Sequence, residues 1–179
     1  MELKFANRFP VIKSERITLR ELKKSDAEFI HFMRNDAKVN EFVDRPGTEN
    51  IKDAEFFIEQ RYQAFFHKEA IYWGIELNTN GFMIGSVTLW HLDLEEGQGE
   101  LGYDLHPSFQ RKGFMSEAIK TVLNYGFNML QLKKIVAFTS TENKPSQKIL
   151  EKFGFVRLPD KDMPEMDLEA GLYGYFLKA

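Results

Sequence analysis

The stretch FQRKGFMSEAIKTVLNYGF, Phe109 to Phe127, opens with charge and a single glycine and then settles into helical periodicity. Met115, Ile119, Val122, Leu123, Phe127 and, just beyond, Leu130 recur at three- and four-residue spacing, which predicts one core-facing side of a helix. Ahead of it GELGYDLH (Gly99 to His106) reads as a strand ended by Pro107, and behind it KIVAFTS (Lys134 to Ser140) reads as a buried strand. A helix set between two strands commits the chain to a mixed architecture, and the remaining segments agree with it.

Glu15 to Arg20 alternates polar and apolar residues and predicts a half-buried strand. Ser25-Asp26-Ala27-Glu28 has the form of a capping box and predicts a helix from Ser25 to about Arg34. Thr48 is expected to open a second helix, with Ile51, Ala54, Glu55, Ile58 and Tyr62 on one spacing. IYWGIEL and FMIGSVTLW flank Asn78-Thr79-Asn80-Gly81, a hairpin signal. Pro145 suits the first turn of a helix to about Lys152 and Gly154 its end, after which Phe155–Leu158 and Leu172–Lys178 read as strands. The expected order is strand, two helices, three strands, helix, strand, helix, two strands: an α/β (α+β) domain with one mixed sheet.

Composition narrows the function. With 179 residues and no linker-like or repeated segment, residues 1–179 are expected to form one domain, and 17 phenylalanines predict an aromatic-rich core. A net charge of −3 argues against a broad nucleic-acid surface. The absence of cysteine excludes disulfides, thiolate metal sites and a cysteine nucleophile. The first residues, MELKFANRFPVIKSER, hold no continuous apolar run, and nothing approaches the roughly 20 apolar residues of a membrane helix. A cytoplasmic location without a membrane partner is the expectation.

Gln110-Arg111-Lys112-Gly113-Phe114-Met115 stands where the strand gives way to the helix. The first N–H groups of a helix lack internal partners, the helix dipole makes that end positive, and glycine lets a ligand approach the backbone. Such a start is an anion site. An ordinary turn with solvated basic residues is the alternative. The loop is no nucleotide P-loop, because no Gly-Lys-Ser/Thr follows, and no dinucleotide fingerprint, because further glycines are missing.

The loop resembles the pyrophosphate loop of the GNAT acyl-CoA N-acyltransferases, Gln/Arg-x-x-Gly-x-Gly/Ala: Gln110, Arg111 and Gly113 match and Met115 departs. SERITLREL, IGSVTL, GELGYDLHPSFQRKGFMSEAIKTVLNYGF and TENKPSQKILEKFGF extend the similarity over residues 14 to 158, toward the branch of ribosomal-protein N-terminal acetyltransferases. The last twenty residues match poorly. The resemblance implies a GNAT-like fold, a mostly antiparallel mixed sheet splayed in its middle with helices on both faces. It also implies acetyl-CoA as cosubstrate, held by Gln110, Arg111, Lys112, Gly113, Phe114 and Met115, and self-association as a homodimer.

By the same resemblance Glu100, just ahead of Gly102-Tyr103, is the expected base, acting directly or through water, and a backbone N–H near Leu105 the oxyanion donor. Many members place a tyrosine acid where this chain has Leu150. In the ribosomal branch Ser146, three residues after Asn143, takes that role, and Asn143 contacts the coenzyme or simply caps the helix. His106 is expected to have a positional role. Trp73 and Trp90 read as core or as pocket walls, core being the preferred expectation. The acidic run Asp160 to Glu169, with Asp93, Glu95 and Glu96, reads as a solvated loop or as an attraction for a cationic amine. Three readings remain open: an acetyltransferase for a protein N-terminal α-amine, one for a small amine (polyamine, amino sugar or amino-acid-like), or a non-catalytic coenzyme-binding domain. No metal ligands cluster in the sequence.

Overall fold

A computed structural model describes Phe5, residues 7–163, Asp167 and residues 170–179. The acidic run noted above therefore lies partly outside the described residues. The elements in chain order are β1 (Ile12–Lys13), β2 (Ile17–Arg20), α1 (Ala27–Asn35), α2 (Ile51–Phe66), β3 (Ile71–Leu77), β4 (Met83–Asp93), β5 (Gln98–Leu105), α3 (Phe114–Asn128), β6 (Lys134–Ser140), α4 (Lys144–Lys152), β7 (Val156–Arg157) and β8 (Leu172–Lys178). They build one sheet in the order β1-β2-β3-β4-β5-β6-β8-β7. Every neighbouring pair is antiparallel except β5 and β6. The parallel pair is the one joined through α3, as a parallel connection requires a crossover.

The apolar stripe of α3 seals one face: Met115, Ile119, Val122 and Leu123 are buried against Ile71, Ile75, Leu89 and Ile135. Phe127, expected in that stripe, is only half-buried and packs at its edge. On the opposite face α1 and α2 close a smaller cluster of Leu22, Ala27, Ile30, Ala54 and Ile58. The phenylalanines that predicted an aromatic-rich core lie mostly at its margin. Of the phenylalanines, Phe65 and Phe155 alone are fully buried, while the centre is filled by Ile17, Leu19, Ile71, Ile75, Ile84, Leu89 and Trp73. Trp73 is completely buried, and its indole N–H donates to the Pro10 carbonyl at 2.7 Å.

The caps expected for α1 and α2 both move. Ser25 does not cap: a 3₁₀ turn over Lys24–Asp26 precedes α1. The Asp26 carboxylate instead accepts from the Lys23 N–H and from the Arg20 guanidinium, a buried pair that holds the turn. Thr48 is not the start of α2 either. Asn50 caps it, accepting from Lys52 and Asp53 N–H, while Thr48 is buried with its hydroxyl against His31 and Asn35. Beyond Lys152 the strand expected over Phe155–Leu158 shortens to Val156–Arg157, and the two-residue β1 adds an edge strand that no periodicity announces.

Candidate active site

The sheet opens at one place. β5 and β6 pair only through Gln98↔Lys134, Gly99↔Ile135 and Glu100↔Val136, whereas β5 continues beside β4 to Leu105 and β6 beside β8 to Ser140. From Leu101 onward the two strands therefore part. The His106 N–H donates to the Ile84 carbonyl on the β4 side. Because successive N–H groups of a strand alternate in direction, those of Tyr103 and Leu105 point away from β4, into the opening. The Leu105 carbonyl on that side is taken by the Gln110 side-chain amide at 3.1 Å, so Gln110 braces the end of β5.

Beyond Leu105 a 3₁₀ turn over Pro107–Phe109 leads into the glycine loop. Arg111 and Gly113 both lie in the left-handed region, at φ 61° and 81°. A non-glycine residue there is uncommon and marks a backbone shaped by its surroundings. Gly113 is the residue before α3 and offers no side-chain cap, and the first intrahelical bond runs from the Glu117 N–H to the Gly113 carbonyl. The N–H groups of Phe114, Met115 and Ser116 thus have no acceptor within the helix. The Met115 side chain is buried in the core, so only its backbone faces the loop. Lys112 is turned back, its ammonium donating to the Ser108 carbonyl at 2.8 Å, while Arg111 is exposed.

Arg16, from the turn before β2, was not singled out by the sequence and ties this loop down. Its guanidinium donates to the Lys112 carbonyl at 2.9 Å and to Glu117 at 2.7 Å, and lies 4.6 Å from the centre of the Phe114 ring. Burial alone raises the Glu117 pKa, but donors from the Arg16 backbone, Ser14 and the Arg16 side chain outweigh it and hold the carboxyl below its ordinary value.

Two polar groups flank the opening, one on each face of β5. Glu100, Gly102 and Asp104 point to the face of α1 and α2, and Leu101, Tyr103 and Leu105 to the face of α3. Glu100 is not at an exposed strand start: it pairs with Trp90 and Val136, and its side chain is 16% exposed. The imidazole of His91, a residue at φ 45° beside a β-bulge, donates from Nδ1 to its carboxylate at 2.9 Å. His91 stacks on Trp90, whose indole is half-buried on this face and not in the core.

On the other face the Tyr103 hydroxyl lies 2.7 Å from Ser146 Oγ, linking β5 to the start of α4 across the opening. Asn143 caps α4 through the Ser146 N–H at 3.1 Å. Burial pushes the Tyr103 phenol up to about 12, so the hydroxyl stays protonated at neutral pH. Leu150, where a tyrosine acid would stand, is buried in the core. The hydroxyl of Tyr103 reaches Ser146 from β5 instead. His106 stacks on Phe32 of α1 at 4.9 Å and accepts from the Ser108 N–H, a positional arrangement. Among the described residues no group of histidines and carboxylates could hold a metal ion, and no helix is long and apolar enough to cross a membrane.

Residues 16–156 match the acetyltransferase (GNAT) domain family, and the chain belongs to it. An uncharacterized N-acetyltransferase, YoaA of Bacillus subtilis, is 33% identical over 147 residues, covering 82% of this chain and 83% of that protein. A spermidine N(1)-acetyltransferase of Vibrio cholerae is 27% identical over 80% of each chain. The crystal structure of the ribosomal-protein-S5-alanine acetyltransferase of Vibrio fischeri superposes with a TM-score of 0.78 at 22% identity, covering 94% of this chain and 96% of that one. The protein is thus an N-acetyltransferase, and acetyl-CoA is its cosubstrate.

Proposed function

We propose that the protein transfers the acetyl group of acetyl-CoA directly to a primary amine, without a covalent enzyme intermediate, at the opening between β5 and β6. The observation that carries this reading is the parting of β5 from β6 immediately after Glu100, beside three uncapped N–H groups of α3. The residues fit the cosubstrate: Arg111, Gly113 and the N–H groups of Phe114, Met115 and Ser116 suit a pyrophosphate, and the free amide nitrogen of Asn143 a further contact. Acetyl-CoA supplies an acetyl group already activated as a thioester.

The chain's own groups divide the remaining work by face. Glu100 takes the proton of the attacking amine, directly or through water, and the hydrogen-bonded, largely exposed His91 gives that proton a route to solvent. The Leu105 N–H meets the negative charge that builds on the acetyl oxygen; comparable donors elsewhere contribute about 3–4 kcal/mol. Ser146 hydrogen-bonds or protonates the departing sulfur, with Tyr103 behind it as a donor.

The preferred acceptor is a protein N-terminal α-amine, a ribosomal protein's among them. Neutralising an α-ammonium of pKa ~8 near pH 7 costs about 1.4 kcal/mol, against roughly 4–5 kcal/mol for an alkylammonium of pKa ~10.4. A small amine is the second reading, supported by the name of the Vibrio cholerae relative. Release of free coenzyme A thiol, read with a thiol-reactive dye, tests both. The chain contains no cysteine, so the background is low. Thiol release dependent on a peptide N-terminus or on a small amine is the expected result. Acetyl-CoA binding with no release from any amine would contradict the reading.

A further inference from the structure

Past Glu100, β5 keeps a strand partner on one edge only. Its pairing with β6 stops at Val136, so Leu101 to Leu105 are laddered to β4 alone. A strand end with an open edge is a place where local opening is easy. A donor that meets a developing oxyanion, by contrast, has to be held within about 0.5 Å of its place. The Leu105 N–H sits on just such an end, and the structure shows what steadies it.

The Asp104 carbonyl and the Leu105 N–H belong to one planar peptide unit, so whatever orients Asp104 orients the donor. Asp104 lies opposite Ser86 of β4, and Leu105 opposite Gly85. A Cβ at Gly85 would collide with the Asp104 carbonyl oxygen and stand 3.0 Å from the Leu105 Cα. Only a glycine lets β4 lie so close against this peptide. Gln110 already braces the Leu105 carbonyl on the far side of the residue.

The Asp104 side chain supplies a second anchor, on the face of α1 and α2. Its Oδ1 accepts from Ser86 Oγ at 2.6 Å and its Oδ2 from the Arg45 guanidinium at 2.9 Å. With its own proton committed to Asp104, Ser86 accepts from the Tyr72 hydroxyl at 2.7 Å. Burial first, then the charge of Asp104, raise the Tyr72 pKa, so the phenol remains a donor. Tyr72, Ser86 and Asp104 thereby bond β3, β4 and β5 to one another side by side. Arg45 is fixed in turn: its Nε donates to Asn40 at 2.7 Å and its Nη2 to the Met33 carbonyl at 3.1 Å. Asn40 donates to the Met33 and Asp36 carbonyls. The α1–α2 loop is thus tied to the end of α1 and presents a guanidinium to β5. Arg34 also feels the charge of Asp104, but its side chain donates to the Pro46 carbonyl.

We infer that Asp104 is a positioning residue for acetyl transfer: held by Ser86 and Arg45, it fixes the Leu105 N–H in the opening. The inference rests on the oxyanion role proposed for that N–H. Asp104 acts through Leu105 and takes no proton from the amine. It shares the face of Glu100, but at about 3.4 Å per residue the two stand roughly 14 Å apart along β5.

The test combines steady-state coenzyme A release with calorimetry of acetyl-CoA in Asp104→Asn, Arg45→Gln, Arg45→Lys and the double variant Asp104→Asn/Arg45→Gln. Asparagine keeps the shape of Asp104, but its amide nitrogen cannot accept from Ser86 or Arg45. In Asp104→Asn, kcat is expected to fall at least tenfold, less than the roughly 10²–10³-fold lost when such a donor is removed outright. An interaction made only in the transition state lowers kcat and kcat/KM equally, so the amine KM and the acetyl-CoA dissociation constant should stay within about twofold. Arg45→Gln should show the same pattern to a smaller degree, and Arg45→Lys should recover part of the loss. The double variant should be no worse than Asp104→Asn, because both changes break one interaction. Unchanged kcat in a folded Asp104→Asn, losses that multiply in the double variant, or a raised amine KM at unchanged kcat would each overturn the inference. Should Asp104→Asn fail to fold, Arg45→Gln and Arg45→Lys decide on the same terms. Wild-type turnover with a normal kcat in the variants would leave acetyl transfer intact and sink Asp104 alone, whereas no release from any amine by the wild type would sink both.

Discussion

At the scale of single residues, the site depends on which way each side chain of β5 points. Glu100 and Tyr103 are three apart, so they stand on opposite faces of the strand and approach the opening from opposite sides. Glu100→Gln keeps the shape and removes the base. Turnover is expected to fall by about 10²–10⁴-fold, while the acetyl-CoA dissociation constant measured by calorimetry stays within about twofold. Equal loss of binding would assign Glu100 to coenzyme contact. Tyr103 and Ser146 share one hydrogen bond. If they act as one unit, Tyr103→Phe and Ser146→Ala should each lower kcat, and the double variant should be little worse than the more damaged single one. Multiplying losses would show independent roles.

At the scale of elements, the start of α3 is held by a partner from the far end of the chain. Ser14 and Arg16 donate to Glu117, and Arg16 also grips the Lys112 carbonyl, so β2 and the glycine loop are bonded through one carboxylate. Burial opposes that charge, but the three donors win and lower the Glu117 pKa from its ordinary 4.5. A depressed carboxyl stabilises the fold fully above the unfolded value and loses that stabilisation as pH falls through the folded one. The melting temperature of the wild type should therefore fall more steeply below about pH 4.5 than that of Glu117→Gln, whose curve starts lower and runs flatter. Parallel curves would mean that the carboxylate contributes nothing through its charge.

At the scale of the whole molecule, the sheet is a tight structure with one deliberate opening. Trp73→Ala, in the closed part, should cost about 3–5 kcal/mol in a denaturant melt. Much of this layout was legible in the sequence. Lys134–Ser140 and Leu172–Lys178 fall where β6 and β8 do, and the Asn-Gly signal marks the β3–β4 turn. These segments declare themselves through alternation and turn chemistry, which are local. The starts of α1 and α2 did not, because Ser25, Asp26, Thr48 and Asn50 are all competent caps, and bonds to Arg20, His31 and Asn35 engage two of them. Glu100, Ser146 and the loop were expected from family resemblance. Alternation along β5 could also have pointed to Tyr103. His91 and Arg16 could not have been found that way, since a bulge in β4 sets the first and a contact to Glu117, 101 residues away, the second. The central claim is that the glycine-led start of α3 holds the pyrophosphate of acetyl-CoA beside the opening. It is tested most directly by calorimetry of acetyl-CoA and of acetylpantetheine, which lacks the pyrophosphate, on the wild type and on Gly113→Ala. At φ 81° an added Cβ strains the loop, so one acetyl-CoA should bind per wild-type chain, and the variant should bind it about tenfold more weakly, with acetylpantetheine unaffected. Unchanged acetyl-CoA binding in the variant, or an equal loss for both ligands, would contradict it.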